Sequence, residues 1–240
     1  KEITEIVIEQ QSESLRILSV IEKQLEKENI FIINENQINK EQQNFLHDYF
    51  IQKVGPELIT IILNDLEEFP LLKDTSGYLA VKLVMKPKEQ NTIVSKLLQK
   101  KEVRYAVIEI PKTINRFVVL PSYTDKQYVI LLDDVIRYNL NQIFNIFDYE
   151  SISAHMIKIT RDAELEFDSD LSKSFIEKIS SSVKERRVGE PVRFVYDQSI
   201  DKDTLAFFLT KMQIDSTDSL IPGGRYHNRR DYMDFPNMEI

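Results

Sequence analysis

The sequence predicts an α+β fold, in which an N-terminal helical hairpin packs with a mixed, partly antiparallel sheet and flanking helices. Segments with apolar residues at three- and four-residue spacing predict the helices, and short runs rich in β-branched and aromatic residues predict the strands. The two kinds of segment are intermixed and do not follow a strict β-α-β order. We therefore favour α+β over a doubly wound parallel sheet.

The first 55 residues carry two helical patterns. Apolar positions from Ile3 to Leu25 recur at helical spacing and predict one long amphipathic helix. After an extended apolar run at Ile30–Ile33, a second helix is expected from Asn39 to the break at Gly55-Pro56. We interpret the two helices as packed on each other, with a coiled coil to a separate partner as the alternative.

The rest of the chain is expected to contain the sheet and three further helices. Strands are predicted at Tyr78–Met85, Arg104–Ile110, Phe117–Leu120, Tyr128–Leu132, Ser153–Thr160 and Val192–Tyr196. Helices are predicted at Val135–Phe144, Asp170–Arg187 and Leu205–Met212, and a loop at Lys86–Asn91. Asp133 and Asp134 precede the first of these helices, and we interpret them as its cap in preference to a metal site.

Composition excludes several classes of protein. The chain has no cysteine, so it can hold neither disulfides nor thiolate metal sites. Its net charge of −8 argues against nucleic acid or another polyanion bound over the whole surface, so any anion site must be local. We find neither a transmembrane segment nor a signal peptide, and expect a soluble, cytosolic protein. The chain starts at Lys1 inside a helical pattern, which suggests part of a longer polypeptide.

The sequence contains no recognisable catalytic or metal-binding motif. Its five glycines form neither a Walker nor a Rossmann loop. The three histidines, His47, His155 and His227, are far apart, and none has a partner at metal-ligand or triad spacing. We therefore predict no catalytic residue and no metal ligand. His227 alone lies in a basic loop, where it is a candidate for contact with an anion.

Basic clusters are the strongest candidates for a binding site, because the arginine side chain suits phosphate oxygens. The candidate phosphate contacts are Arg161, Arg186, Arg187, Arg193, Arg225, His227, Arg229 and Arg230. Simpler explanations stay open. Lys184–Arg187 could complement a helix dipole, and Lys100-Lys101 could be a solvated face. The stretch 222–232 resembles either a functional or docking loop or an interdomain linker.

Several motifs resemble one known family. Ile159–Glu166 resembles a strand-to-turn motif of the polyphosphate kinases, and Arg186–Arg193 resembles their "RRxGxxVR" stretch. Gly223–Asn228, with Asp231–Met233 and Phe235-Pro236, is similar to the segment that follows in Bacteroidetes-type members of the histidine-phosphorylating class. Weaker agreement extends along most of the chain. Residues 56–77 depart from the family pattern, which carries a "P-x-L-T-P-L" segment there.

The resemblance implies the middle, or head, region of an enzyme that transfers the terminal phosphate of ATP reversibly to polyphosphate. It implies a phosphohistidine and magnesium, with the reactive histidine and most nucleotide contacts in domains absent from this chain. The segment alone should therefore be inactive and bind no cofactor. In the family the head contributes to dimer contacts and borders a tunnel to the active site.

The resemblance also implies partners and domain limits. The expected partners are the remaining domains of the same polypeptide, a second copy and polyphosphate. The expected location is the cytoplasm, with membrane association through a polyphosphate kinase complex left open. Residues 1–55 would end the N-terminal domain and start the head, 56–219 would form the head, and 220–240 would be a basic linker toward catalytic domains. The alternative is a stand-alone anion-binding or scaffold module.

Overall fold

The computed structural model describes residues 2–87, 101–122, 124–161, 191–214, 219–227 and 229–238. The helices in these ranges are α1 Glu2–Lys27, α2 Lys40–Tyr49, α3 Leu132–Tyr138, α4 Leu140–Ile143 and α5 Lys202–Lys211. The predicted helix 170–187 and most of the predicted loop 86–91 lie outside the described residues. None of the described helices has the length and apolar composition needed to cross a bilayer.

The strands form two sheets. Their bounds are β1 Ile30–Ile33, β2 Ile59–Ile62, β3 Tyr78–Met85, β4 Val103–Glu109, β5 Phe117–Leu120, β6 Gln127–Leu131, β7 Tyr149–Arg161, β8 Pro191–Asp197 and β9 Leu220–Gly223. One sheet has the order β1-β6-β5, and the other has the order β2-β4-β3-β7-β8-β9. The pairs β1–β6 and β8–β9 are parallel and the other pairs are antiparallel, which confirms the mixed α+β prediction.

The six-stranded sheet buries both of its faces, because side chains alternate along each strand. On one face Leu79 and Met156 pack with Leu46 of α2 and Val135 of α3. On the opposite face Tyr78, Phe194 and Phe208 belong to a second core that includes α5. A smaller core lies on the three-stranded sheet, where Phe117 meets Tyr232 and Phe235 at ring distances of 5.1 and 5.2 Å. The six-stranded sheet is therefore a central layer.

The first N-terminal helix begins and ends close to the predicted positions, whereas α2 begins as predicted but ends at Tyr49, and a π-helical turn at Phe50–Val54 continues it to Gly55. Asn39 caps α2 by accepting a hydrogen bond from the backbone of Gln42, whose side chain accepts one in return. Between the two helices the apolar run at Ile30–Ile33 is strand β1, and α1 packs against β1 and β9. Gly224 lies so close to α1 that an added Cβ would stand 2.6 Å from Leu15. The long helix is thus held beside the segment that follows β9.

The predicted helix 135–144 is divided into α3 and α4. Asn139 separates them, and its side-chain amide donates to the carbonyl of Val135 at 2.8 Å. A side chain that binds the backbone locally competes with the regular helical hydrogen bonds. The division lets Phe144 enter the main core, where it is almost completely buried.

A substitution at Phe194 in β8 tests whether the six-stranded sheet forms the buried central layer. Phe194→Ala should lower the free energy of unfolding by about 3–5 kcal/mol, because this ring is fully buried and its removal leaves a cavity. The measurement is equilibrium urea denaturation of the chain. Val119→Ala is the control, since Val119 lies in the outer strand β5 and its side chain is half exposed. Equal losses in the two variants would contradict this account of the core.

Candidate functional site

Asp133 and Asp134 are fully buried in the first turn of α3. Our prediction that they cap the helix is wrong, because the cap position is Leu131, which makes no side-chain hydrogen bond. Asp133 instead accepts two hydrogen bonds from Arg116, at 2.7 Å from Nε and 2.8 Å from Nη2. A buried carboxylate needs such a charged partner, and the paired fork geometry of arginine supplies it.

Asp134 joins three parts of the chain. Its Oδ1 accepts hydrogen bonds from Arg137 and Arg225, each at 2.7 Å, and its Oδ2 accepts one from the Tyr226 hydroxyl. Arg225 also donates to Glu35 in the turn before α2. Tyr226 and Arg225 follow β9, so one carboxylate links the end of the described chain to α3 and to the N-terminal part.

Together these residues form what we call the arginine–aspartate network: Glu35, Arg116, Asp133, Asp134, Arg137, Arg225, Tyr226 and Asp231. Arg116 completes it through a 3.0 Å contact with Asp231. Burial alone would lower the pKa of Arg225, but Asp134 and Glu35 together raise it above its usual value. Burial, reinforced by the charge of Asp134, also raises the pKa of Tyr226. Arg225 therefore stays charged and Tyr226 keeps its proton.

A second group of polar residues lines a cavity of about 360 Å³ between α1 and the sheet. We call it the basic pocket and define it by Lys158, Thr160, Arg193 and His227. Thr160 pairs with Arg193 across β7 and β8, and Lys158 lies two residues from Thr160. Directly paired residues and alternate residues share one face of an antiparallel sheet. Gln10 and Gln11 of α1 line the same cavity.

Several polar atoms of the basic pocket have no hydrogen bond of good geometry within the part of the chain that the structure describes. Within the described ranges, the Nε of Arg193 and both ring nitrogens of His227 are buried without a hydrogen bond of good geometry. Neither Lys158 nor Arg193 forms an ion pair with a described carboxylate. Burial lowers the pKa of His227 to about 4, against the opposing effect of Asp133, Asp197 and the Gly224 backbone. The imidazole is therefore neutral near pH 7, and its ring lines the cavity.

The structure brings together only some of the predicted phosphate contacts. Arg193 and His227 share the basic pocket, whereas Arg225 binds two carboxylates in the arginine–aspartate network. Arg161 donates to Asp74 at 2.8 Å and to the carbonyl of Leu72. Arg230 is exposed and lines a different cleft, beside Arg116. Arg186, Arg187 and the side chain of Arg229 lie outside the described residues. Their contact with phosphate stays a prediction.

Sequence reasoning missed two members of the basic pocket, Lys158 and Thr160. The alternating pattern of β7 could have placed both on one face of a strand. That face becomes a candidate site only through its pairing with Arg193, and the register between β7 and β8 is set by tertiary packing. The sequence alone could therefore place Lys158 and Thr160 on one face of a strand, but it could not place them beside Arg193.

Comparison with known proteins identifies the family. The profile of the polyphosphate kinase middle domain matches residues 41–235. The chain is 36% identical over 202 residues to a polyphosphate kinase of Vibrio parahaemolyticus, and 39% identical over 202 residues to one of Escherichia coli. The chain belongs to the polyphosphate kinase family. The resemblance inferred from the motifs is thereby confirmed, and the segment corresponds to the middle domain of a polyphosphate kinase.

The chain spans about a quarter of the relatives that it matches. Each of the two alignments covers 82% of this chain and 27% of the relative. A crystal structure of a polyphosphate kinase from Porphyromonas gingivalis has the same fold, with a TM-score of 0.74 and 24% sequence identity. That match covers 98% of this chain and 32% of the other. The polyphosphate kinase fold is therefore shared along nearly the whole segment.

The arginine–aspartate network can be tested by removing its central carboxylate. Asp134→Ala should destabilise the chain by about 3–5 kcal/mol, because it leaves the buried Arg137 and the partly buried Arg225 without this partner. Urea denaturation provides the measurement. Glu13→Ala removes a carboxylate from an exposed pair with Arg16 and should leave the transition unchanged. A small effect at Asp134 would contradict the structural role of the network.

Histidine 227 should make stability depend on pH. Because its pKa is about 4 when folded and about 6.5 when unfolded, the unfolded state holds more protons between these values. Stability should therefore fall as pH decreases from about 6.5 to 4, by up to about 1.4 kcal/mol per pH unit. His227→Gln should remove this contribution, and His47→Gln at an exposed helix position should retain it. Urea denaturation across this pH range measures both, and identical curves for the two variants would contradict the assignment.

Proposed function

We propose that this chain is a non-catalytic middle domain of an enzyme that transfers the terminal phosphate of ATP reversibly to polyphosphate. The observation that carries the proposal is the match of residues 41–235 to the polyphosphate kinase middle domain. In this proposal the chain supports and shapes the enzyme, while a phosphohistidine forms in other domains. The buried ion pairs, which fix the described segments to one another, support such a structural role.

The geometry of the three histidines supports the absence of catalysis here. His47 is exposed on α2, and His227 is buried and neutral. Nδ1 of His155 lies 3.4 Å from Ser199 Oγ and 3.6 Å from Asp197. Ser199 itself donates to Asp197 at 2.7 Å. In a catalytic triad the serine and the aspartate use opposite ring nitrogens. The three residues therefore form a local structural cluster at the end of β8.

The described residues do not fit a magnesium site. Magnesium takes oxygen ligands, commonly one or two carboxylates with several waters. No group of side chains placed to hold a metal ion occurs among the described residues, and Asp133, Asp134 and Asp231 are engaged with arginines. We propose that ATP and magnesium bind to the remaining domains of the polypeptide.

We also propose that the middle domain takes part in dimer contacts and borders the path of polyphosphate. Exposed apolar side chains on α1, including Ile6, Ile17, Val20 and Ile21, support a role in contacts with other domains or a second copy. The basic pocket supports contact with a phosphate chain. A cytoplasmic location is proposed for the whole protein.

A stand-alone anion-binding or scaffold module is the second candidate function. The observation that favours it is the basic pocket, whose unpaired donors could serve without any kinase domain. This candidate differs from the first in a single respect, since it requires no phosphoryl transfer by the complete protein.

Polyphosphate synthesis distinguishes the two candidates. The complete protein encoded by the gene should make polyphosphate from ATP and magnesium, and the 240-residue chain alone should make none. Product formation from radiolabelled ATP is the measurement, with protein-free samples as the control. Synthesis by the chain alone would overturn the non-catalytic role. Absence of synthesis by the complete protein would favour the scaffold module.

A further inference from the structure

We propose that the basic pocket binds the phosphate oxygens of an inorganic polyphosphate chain, with Lys158, Thr160, Arg193 and His227 as its ligands. The choice of an inorganic chain rests on the proposed function. The choice of an oxyanion rests on the pocket itself, in which two residues that the sequence analysis did not nominate join two that it did.

The strand register places the cations together. Thr160 lies directly opposite Arg193, and Lys158 lies opposite Val195, so Lys158 and Arg193 are diagonal neighbours on one face of the β7–β8 pair. Like charges close together on a sheet repel each other. Here neither cation has an ion-pair partner among the described carboxylates, although ion pairs satisfy many other cations of the chain. An anion bound between them would relieve the repulsion.

Histidine 227 gives an independent indication of a ligand. Its side chain is more than nine-tenths buried and lines the cavity, and within the described residues neither ring nitrogen has a hydrogen bond of good geometry, although the Gly224 backbone lies near enough to raise its pKa. Buried polar groups in folded proteins are nearly always hydrogen-bonded, so an unpartnered one calls for an explanation. A neutral imidazole has one N–H donor, which can serve a phosphate oxygen without adding charge.

The surrounding acids do not occupy the cations. Asp133 is bound by Arg116, and Asp231 is held by the same arginine. Asp197 accepts hydrogen bonds from Ser199 and lies beside His155. Lys158 is near enough to Asp231 to lower the pKa of that carboxyl, but no contact of ion-pair length joins them. The positive charge of the pocket therefore remains available.

Phosphate fits this donor set better than a carboxylate does. A single arginine fork satisfies a planar carboxylate, whereas the pocket offers a guanidinium, an ammonium, a hydroxyl and an imidazole from two strands and the segment after β9. A tetrahedral phosphate has oxygens for donors that come from several directions. The cavity, at about 360 Å³, falls within the range of small-ligand sites of roughly 300–1,000 Å³. That volume accommodates linked phosphates.

Calorimetric titration of the 240-residue chain tests the proposal with tripolyphosphate, orthophosphate and ATP as separate probes. Tripolyphosphate should bind, and Lys158→Gln combined with Arg193→Gln should weaken it by roughly tenfold or more, since charge-assisted hydrogen bonds are lost. Lys86→Gln combined with Lys101→Gln is the matched control. It removes two positive charges from exposed pairs outside the pocket and should change the affinity by less than about twofold.

A conservative variant separates binding from folding. Lys158→Arg with Arg193→Lys keeps both charges and should retain most of the affinity, and His227→Gln should weaken binding less than the double charge removal does. Equal weakening by the pocket and control variants, or no binding of tripolyphosphate, would overturn the proposal. ATP binding as tightly as tripolyphosphate would assign the pocket to a nucleotide and overturn the inorganic chain. The complete protein could make polyphosphate while the variants without the Lys158 and Arg193 charges bind tripolyphosphate as tightly as the unsubstituted chain. In that case the proposed binding site is wrong and the proposed function stands.

Discussion

The carboxylate of Asp134 is the constraint on which the rest of this structure depends. It is fully buried, and Arg137, Arg225 and Tyr226 together satisfy it. A buried charge that loses its partners is strongly destabilising. Separating the segment that carries Arg225 and Tyr226 from Asp134 would therefore cost a large part of the free energy of folding. That segment follows β9 directly, and His227 comes next in the chain. Fixing Arg225 and Tyr226 therefore also fixes the position of the imidazole. The structural network and the basic pocket are consecutive parts of one arrangement.

The two sites use positive charge in opposite ways. Arginines in the network are neutralised by protein carboxylates, which makes them parts of the core. Lys158 and Arg193 both lie in the β7–β8 pair of the six-stranded sheet, and neither has an ion-pair partner among the described carboxylates. In a chain with a net charge of −8, such unpaired cations create a local positive field within a negative surface. Total charge therefore says little about anion binding here, since a local site depends on which cations are left unpaired.

Much of the fold could be predicted from the sequence, because helical spacing and β-branched runs are local properties. The strands of both sheets near Tyr78, Phe117 and Tyr128, and the helix at Leu205, were found in this way. The roles of Asp133 and Asp134 were not, since two acids before a helix resemble a cap until the arginines that reach them are known. Those arginines come from positions as distant as Arg116 and Arg225. The site was recognised in part for the same reason, because Lys158 acquires its neighbours only through strand register.

The basic pocket is also a junction between distant parts of the chain. Its lining comes from α1, from the β7–β8 pair and from the segment after β9, and Gly224 keeps that segment in close contact with Leu15. A ligand held by residues from separate parts of the chain binds the folded arrangement and not the unfolded chain, so it stabilises the folded state by mass action. The network already ties the segment after β9 to α3 through Asp134, and its Arg137 donates to the carbonyl of Ala154 in β7. The proposed ligands belong to the β7–β8 pair and to the segment after β9, so a bound anion would connect these two parts directly, in a cavity that Gln10 and Gln11 of α1 also line.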